Sequence, residues 1–448
     1  LIMYASDLKE PSPAGLRRAR RLQSPCGLVS DSVRLPNGEG EPPFSIFTSL
    51  LDNPSAVLRT QRNWTHSNAQ GNFDGAGGAI DPLRARDISI VESLERYSSC
   101  TWNDADIVMA TEAELGAAAV GPHRFPRCSE RELAAEGATL VRYDPRLPIR
   151  WQRAWSLTHG REVFVPANLV YLRFPIYSRA ELFTHSVSTG AAAHSDMKEA
   201  LLGGLLEVVE RDSISLTWLQ RLRLPSIEVD EALLRPETRE YHRMGMSSDI
   251  EVRLFNATTD FDIPVIYGIQ LSEDPVLSQV VAATCDLDPE RALAKIHREF
   301  SSLRIALRAH AGSPDPLAML GTSVIGGAVL HARASHRRVF DFLLDGERPA
   351  VPLHEIGSAP GPDDDPLAWT VDKLAQRDAE VIAVDITTDE ARQVGMHVVK
   401  VLVPEAMPLS FVHSARYLGT PRLYQAPSAM GLAVHDEASI NPEFQPFA

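Results

Sequence analysis

The sequence predicts a mixed α/β protein, one large unit in which mixed sheets are flanked by helices. Three observations predict it. Residues 105–150 alternate a strand-like DIVMATEAEL, a helix-like SERELAAEG and a strand-like TLVRYDP. Four strand-like runs broken by turns, IEVDEALL, IEVRLFNATTD, IPVIYGIQLS and QVVAATCDLD, precede a long amphipathic helix over 289–309. Two further helices each carry an apolar stripe beside a row of acids.

In chain order, residues 1–43 read as an N-terminal arm or the first strand of something larger, ending in PNGEGEPP. Its basic cluster Arg17-Arg18-Ala19-Arg20-Arg21 reads as a solvated helix face. Residues 44–448 form the main domain, with a first half at 44–185 and a second at 186–448. Residues 44–81 mix short strands with Asn- and Gly-rich turns and end in Asp74-Gly75-Ala76-Gly77-Gly78. A helix follows over about 82–98, with Pro82 in a first turn that can spare its N–H. WSLTHGREVFVPANLVYL reads as a hairpin with His159-Gly160 at the turn. A second helix then starts at Ser195 or Asp196, either of which can cap it. Asp288-Pro289-Glu290 starts the long helix. GSAPGPDDDP is a surface loop, EVIAVDITT and VVKVLVPEAMPLSF are buried-strand candidates, and NPEFQPFA is an extended tail.

Composition excludes several classes. At 448 residues and 44% hydrophobic, the chain can bury a real core. Its net charge of −15 argues against a nucleic-acid or anionic-membrane footprint. No apolar run approaches the ~18 residues of a membrane span. The N-terminus puts its apolar piece before its basic piece, the wrong order for a secretory signal. Cys26, Cys100, Cys128 and Cys285 form no CxxC pair and read as ordinary thiols, which fits a reduced cytosol.

The chemistry is expected on the acidic helices. In the second, Leu201, Leu202, Leu205, Leu206, Val208 and Val209 supply a buried face. Glu199, Glu207 and Glu210 fall within a sector of about 80° on the other side, with Gly203 leaving space between them. A single ExxE is more often a wet surface than a site. Here the pattern repeats: Glu92-x-x-Glu95-Arg96 echoes Glu207-x-x-Glu210-Arg211, each after a Gly-containing loop. Converging carboxylates repel unless a divalent cation neutralises them, and such a cation commonly arrives with phosphate. A nucleotide site with Mg²⁺ where Glu92, Glu95, Glu207 and Glu210 converge is the expectation, with Glu199 on the same helix face as Glu207 and Glu210. A carboxylate-bridged di-metal oxidase is disfavoured, because the helices lack Glu-x-x-His pairs.

Together these stretches resemble the YcaO family, from about Gly77 to the C-terminus. Its SxxExxER motif is matched by Ser89, Glu92, Glu95 and Arg96. A second motif, a small-residue loop before an acidic helix, is matched by 188–193, Glu199, Glu207, Glu210, Arg211 and Asp212, with Ser195 at one of its nucleotide-binding positions. A third, RxxxE in a long helix, is matched by Lys295 and Glu299. The resemblance is closest to members that form azolines in ribosomal peptides, with MgATP activating a backbone amide. It implies that these residues bind ATP, that the five glutamates hold Mg²⁺, and that Arg96, Arg211 and Lys295 offset phosphate charge. It also implies a PxPxP tail ending in the active site. Pro442, Phe444 and Pro446 stand at those positions, the middle proline being lost. The implied catalytic residues are Pro442, Pro446 and Ala448, the last as a base through its carboxylate.

There are departures. Ala79 stands where a phosphate-contacting lysine is common, Ser195 where Asn is common, and Ser302 where a Gln often follows the third motif. The resemblance further implies a precursor peptide as substrate and a leader-binding E1-like or ThiF-like partner. With only 40-odd residues ahead of the match, that partner is expected as a separate protein, alongside a flavin dehydrogenase; a homodimer is left open. A non-catalytic scaffold of the same family, or a thioamide- or amidine-forming enzyme, are the alternatives.

Overall fold

The computed structural model describes residues 13–51, 74–247, 249–310, 320 and 324–448. Three sheets organise it. In the first, β1 (Val29–Leu35), β2 (Ser45–Leu51) and β3 (Gly75–Ala79) run antiparallel. Strand β3 is GAGGA, and the missing side chains let a helix settle against its backbone. A Cβ at Gly75 would run into the Ser89 carbonyl, and one at Gly77 into the Ala85 carbonyl. That helix is Pro82–Ser99, the first acidic helix; the Asp81 side chain caps it by accepting from the Arg84 amide.

The second sheet has the order β4 (Ile107–Ala110), β5 (Ile149–Ser156), β13 (Ile382–Asp385), β14 (His397–Leu402), β7 (Ala191–His194), with β6 (Arg161–Pro166) also paired to β5. The β5–β6 hairpin turns through His159 and Gly160, Gly160 at a φ of +61°. The third sheet has the order β11 (Gln279–Cys285), β10 (Val265–Ser272), β9 (Ile250–Asn256), β8 (Ser226–Glu228), β12 (Ala350–Pro352); only the short β12–β8 pair is parallel. The second acidic helix, Met197–Gln220, packs against β14, β7 and β11. It is buried from Asp212 to Gln220 on every side, and polar side chains in that stretch are satisfied internally: Asp212 by Arg422, and Ser213, Ser215 and Gln220 by donating to the Ala257, Pro408 and Leu423 carbonyls. The third helix, Pro289–His310, covers β11 and β10.

Several expectations change in detail. Residues 29–35 pair with β2, so this part of the expected arm belongs to the first sheet. The second sheet draws strands from both expected halves, which are interleaved rather than sequential. TLVRYDP alternates like a strand but is irregular, tied by the Val141 amide to the Leu182 carbonyl. Alternation supplies a pattern; a ladder also needs a partner edge. Arg20 of the basic cluster is no free surface charge, since it grips the fully buried Asp87 at 2.6 and 2.8 Å. Among the described residues no helix is long and apolar enough to cross a membrane.

Candidate active site

The three helices and strands β3, β7 and β11 enclose a cavity of about 370 Å³. Four of its acids come from the two ExxER pairs, Glu92 and Glu95 from one helix and Glu207 and Glu210 from the other, and Glu299 comes from the third helix. The pairs are built alike. Glu92 accepts from the Ala76 amide at 3.1 Å and from Arg96 Nη2 at 3.1 Å. Glu207 accepts from the Gly190 amide at 3.1 Å and has Arg211 at 3.6 Å. In each helix the leading glutamate therefore clamps the glycine-bearing loop before it.

The second glutamate of each pair has a different environment. Glu95 faces the cavity but is otherwise walled in by protein, so desolvation pushes its carboxyl up to about 8. Arg96 opposes the rise, and Glu92 and Glu207 add to it. Burial likewise raises Glu210 to about 7, against Arg211 and a hydrogen bond from the Cys285 amide at 3.0 Å. For Arg96, burial works against its charge, yet Glu92, Glu95 and Glu207 outweigh it and hold its pKa high.

Lys295 reaches the cavity from the third helix, with Nζ 2.6 Å from Oδ2 of the fully buried Asp286. Arg291 holds Asp286 from the same side at 2.5 Å. Two bases around one buried carboxylate overcome its desolvation and keep its pKa below the ordinary value. Glu299 and Ser302 also line the cavity.

The tail enters from the opposite side. Asn441 is fixed by its amide to the Leu219 carbonyl at 2.9 Å and by Nδ2 to the Trp218 carbonyl at 3.0 Å. The Gln445 carbonyl lies over Gly327, where a Cβ would collide with it. Phe447 is buried edge-on against Tyr267, 5.3 Å between centroids, and Ala448 lines the cavity with the glutamates. Pro446 is buried, whereas Pro442 is exposed before the anchored stretch and stands away from the cavity.

Of the expected ligand residues, the cavity gathers Glu92, Glu95, Arg96, Glu207, Glu210, Arg211, Lys295, Glu299 and Ala448. Five expected residues are not among those lining it: Pro442 and Pro446 of the tail, and Ser89, Ser195 and Glu199. Ser89 is buried and shares a 2.6 Å hydrogen bond with Ser49, pinning the first acidic helix to β2. Ser195 does not cap the second acidic helix; Asp196 does, accepting from the Lys198 and Glu199 amides. Ser195 lies instead against Gly15. Glu199 sits in the first turn of that helix near His194, two turns before Glu207.

Sequence reasoning missed Asp286, Arg298 and Lys400. Lys400, on β14, is 1% exposed, with Nζ donating to the Val187 carbonyl at 2.6 Å. Desolvation lowers its pKa to about 8, with Glu207 and Glu95 pulling the other way. A lone lysine inside VVKVLV was the available signal. Cys285 lines the cavity as well, but burial raises its thiol pKa well above the ordinary value, which disarms it as a nucleophile.

Among the described residues no group of three or more His, Cys, Asp or Glu is disposed to hold a metal ion by itself. The donor set still fits Mg²⁺, which takes one or two carboxylates and completes its shell with water and phosphate oxygens. Carboxyls whose charge is penalised by burial and by neighbouring carboxylates, as at Glu95 and Glu210, gain when a divalent cation approaches.

The family described as YcaO cyclodehydratase, ATP- and Mg²⁺-binding, matches residues 76–407. The chain belongs to the YcaO family. Among curated proteins it is 28% identical over 238 residues to an uncharacterised protein of Methanothermobacter thermautotrophicus, covering 51% of this chain and 56% of that one. It is 31% identical over 260 residues to an uncharacterised protein of Rhizobium leguminosarum bv. trifolii, covering 54% and 56%. The chain spans about half the length of these curated relatives. Among solved structures, a heterocyclase in complex with substrate and cofactor superposes with a TM-score of 0.79 at 23% identity, covering 98% of this chain and 57% of that one. The YcaO protein from Methanopyrus kandleri bound with AMPPCP and Mg²⁺ gives 0.58 at 20%, covering 87% and 88%. A chain of the E. coli microcin synthetase McbBCD complex gives 0.62 at 14%, covering 93% and 96%. These likenesses confirm the mixed α/β fold expected of the family.

Proposed function

We propose that the chain is an ATP-dependent cyclodehydratase subunit acting on a ribosomal precursor peptide. One observation carries the reading: two ExxER helices face each other across a single cavity that also receives basic side chains and the C-terminal tail. In this reaction a Cys, Ser or Thr side chain of the peptide attacks the preceding amide carbonyl. The resulting oxyanion takes the terminal phosphoryl group of ATP as ADP leaves. Expulsion of phosphate, with loss of the amide proton, then closes the azoline.

Glu92, Glu95, Glu207 and Glu210 would hold Mg²⁺, which when bound draws charge from the triphosphate. Glu199 belongs to this set by resemblance, as do Ser89 and Ser195 to the nucleotide set. Arg96, Arg211 and Lys295 offset phosphate charge at the cavity wall. The anchored tail, with Pro446 buried, delivers Ala448 to the cavity, and by resemblance this stretch belongs to the catalytic set. The protein partners belong to the same proposal: an E1-like or ThiF-like leader-binding protein, a flavin dehydrogenase, and a cytoplasmic setting.

The test is titration of MgATP into the purified chain. At about 100 times Kd, binding should add roughly 2.7 kcal/mol to stability, and Glu210→Ala should abolish the effect. No binding by the unaltered chain, with or without a partner, would refute the enzyme reading.

A further inference from the structure

Three of the basic side chains on the cavity wall are held by acids within the helix framework. Arg96 bonds Glu92 at 3.1 Å, Arg211 lies between Glu207 and Glu210 at 3.6 and 3.9 Å, and Lys295 is fixed on the buried Asp286. Arg298 differs. It lies three residues beyond Lys295 on the same helix face, also on the cavity wall. Its side chain is 13% exposed, and Nη2 bonds the adjacent Glu299 at 2.7 Å. Glu299 is itself 41% exposed, so its carboxylate can be handed to water at little cost.

The seat of Arg298 is cut out of β3. A Cβ at Gly78 would come within 2.6 Å of Arg298 Cγ and 3.0 Å of Cδ. Along β3, Gly75 and Gly77 lie against the first acidic helix, and alternation puts the fully buried Ala79 on that same face. The cavity face of the strand is Ala76 and Gly78, which carry no charge. Whatever cation serves this side of the cavity must come from the helix opposite.

Resting on the nucleotide reading above, we infer that Arg298 is the residue that binds the phosphate end of the nucleotide, over the side-chain-free strand at Gly78. A guanidinium suits this place because its planar fork donates two parallel hydrogen bonds to phosphate oxygens. Swinging from Glu299 to phosphate exchanges one anion for another without moving the helix.

Calorimetric titration of the full chain with MgATP and, separately, AMP tests the inference. Arg298→Gln should weaken MgATP roughly tenfold or more while changing AMP far less. Arg298→Lys should recover part of the loss. Gly78→Ala, which keeps the charge but displaces the side chain, should weaken MgATP in the same direction as Arg298→Gln. Unchanged MgATP affinity in Arg298→Gln, or equal losses for MgATP and AMP, would overturn the inference and leave the nucleotide reading standing. Failure of the unaltered chain to bind MgATP would remove both.

Discussion

Glu207 accepts the amide hydrogen of Gly190 at 3.1 Å, across seventeen residues of chain. Glu92 does the same with Ala76, at the same distance across sixteen residues. The leading acid of each ExxER pair is thus a clamp on a loop. The trailing acids, Glu95 and Glu210, are the ones whose charge is unfavourable in the free protein.

The clamp predicts two separable effects. Glu207→Ala removes a half-buried acceptor from the Gly190 amide and should cost about 1 kcal/mol of stability without ligand. It should also abolish stabilisation by MgATP. Urea denaturation with and without nucleotide measures both.

The trailing acids predict a pH dependence. Their folded-state pKa values, about 8 and about 7, stand above the ordinary 4.5, so the folded protein keeps protons that the unfolded chain has released. Stability of the ligand-free protein should therefore fall as pH rises from about 4.5 to about 8. Glu95→Gln should flatten that fall. In the upper part of this window MgATP binding should release protons, seen as a binding enthalpy that varies with the ionisation enthalpy of the buffer.

Asp286 is predicted to matter more for stability than any glutamate of the cavity. Asp286→Asn leaves Arg291 and Lys295 without their shared buried anion, which should cost about 3–5 kcal/mol. Because its pKa is held below 3.8, its contribution is present above that value and lost as pH falls through the folded pKa. Denaturant midpoints of the variant and the native chain should lie well apart at pH 7 and closer together at pH 3.

The approach of loop to strand is equally exacting at Gly190. Its φ is +85°, and a Cβ there would collide with the Val401 carbonyl. Gly190→Ala should cost about 2 kcal/mol or more and weaken nucleotide binding, since Glu207 loses its fixed partner. Gly116, at a φ of +55° with open space around it, is the control. Gly116→Ala should cost only about 1 kcal/mol, the conformational part alone. Thermal melts of the two variants compare them.

Much of this was legible in the chain. Pro82 after Asp81, Asp196 before an apolar run, and Asp288-Pro289 mark helix starts through capping chemistry that is local. The doubled ExxER pattern located the cavity because helix periodicity fixes which residues share a face. Ser89 shows the limit. It lies within the motif, yet its turn of helix faces β2, and the Ser49 hydroxyl claims it.

The sequence by itself determined the elements, their buried faces and the two acidic rows, since these follow from spacing and from side-chain types a few residues apart. Only the tertiary structure decided that Glu207 and Glu92 clamp loops, that Glu95 and Glu210 hold their protons, that Asp286 fixes Lys295, and that Arg298 lies over Gly78. Each of those depends on a partner distant in sequence or on how much water a carboxyl retains. Desolvation and long-range contact belong to the packed chain, and no spacing along the sequence encodes them.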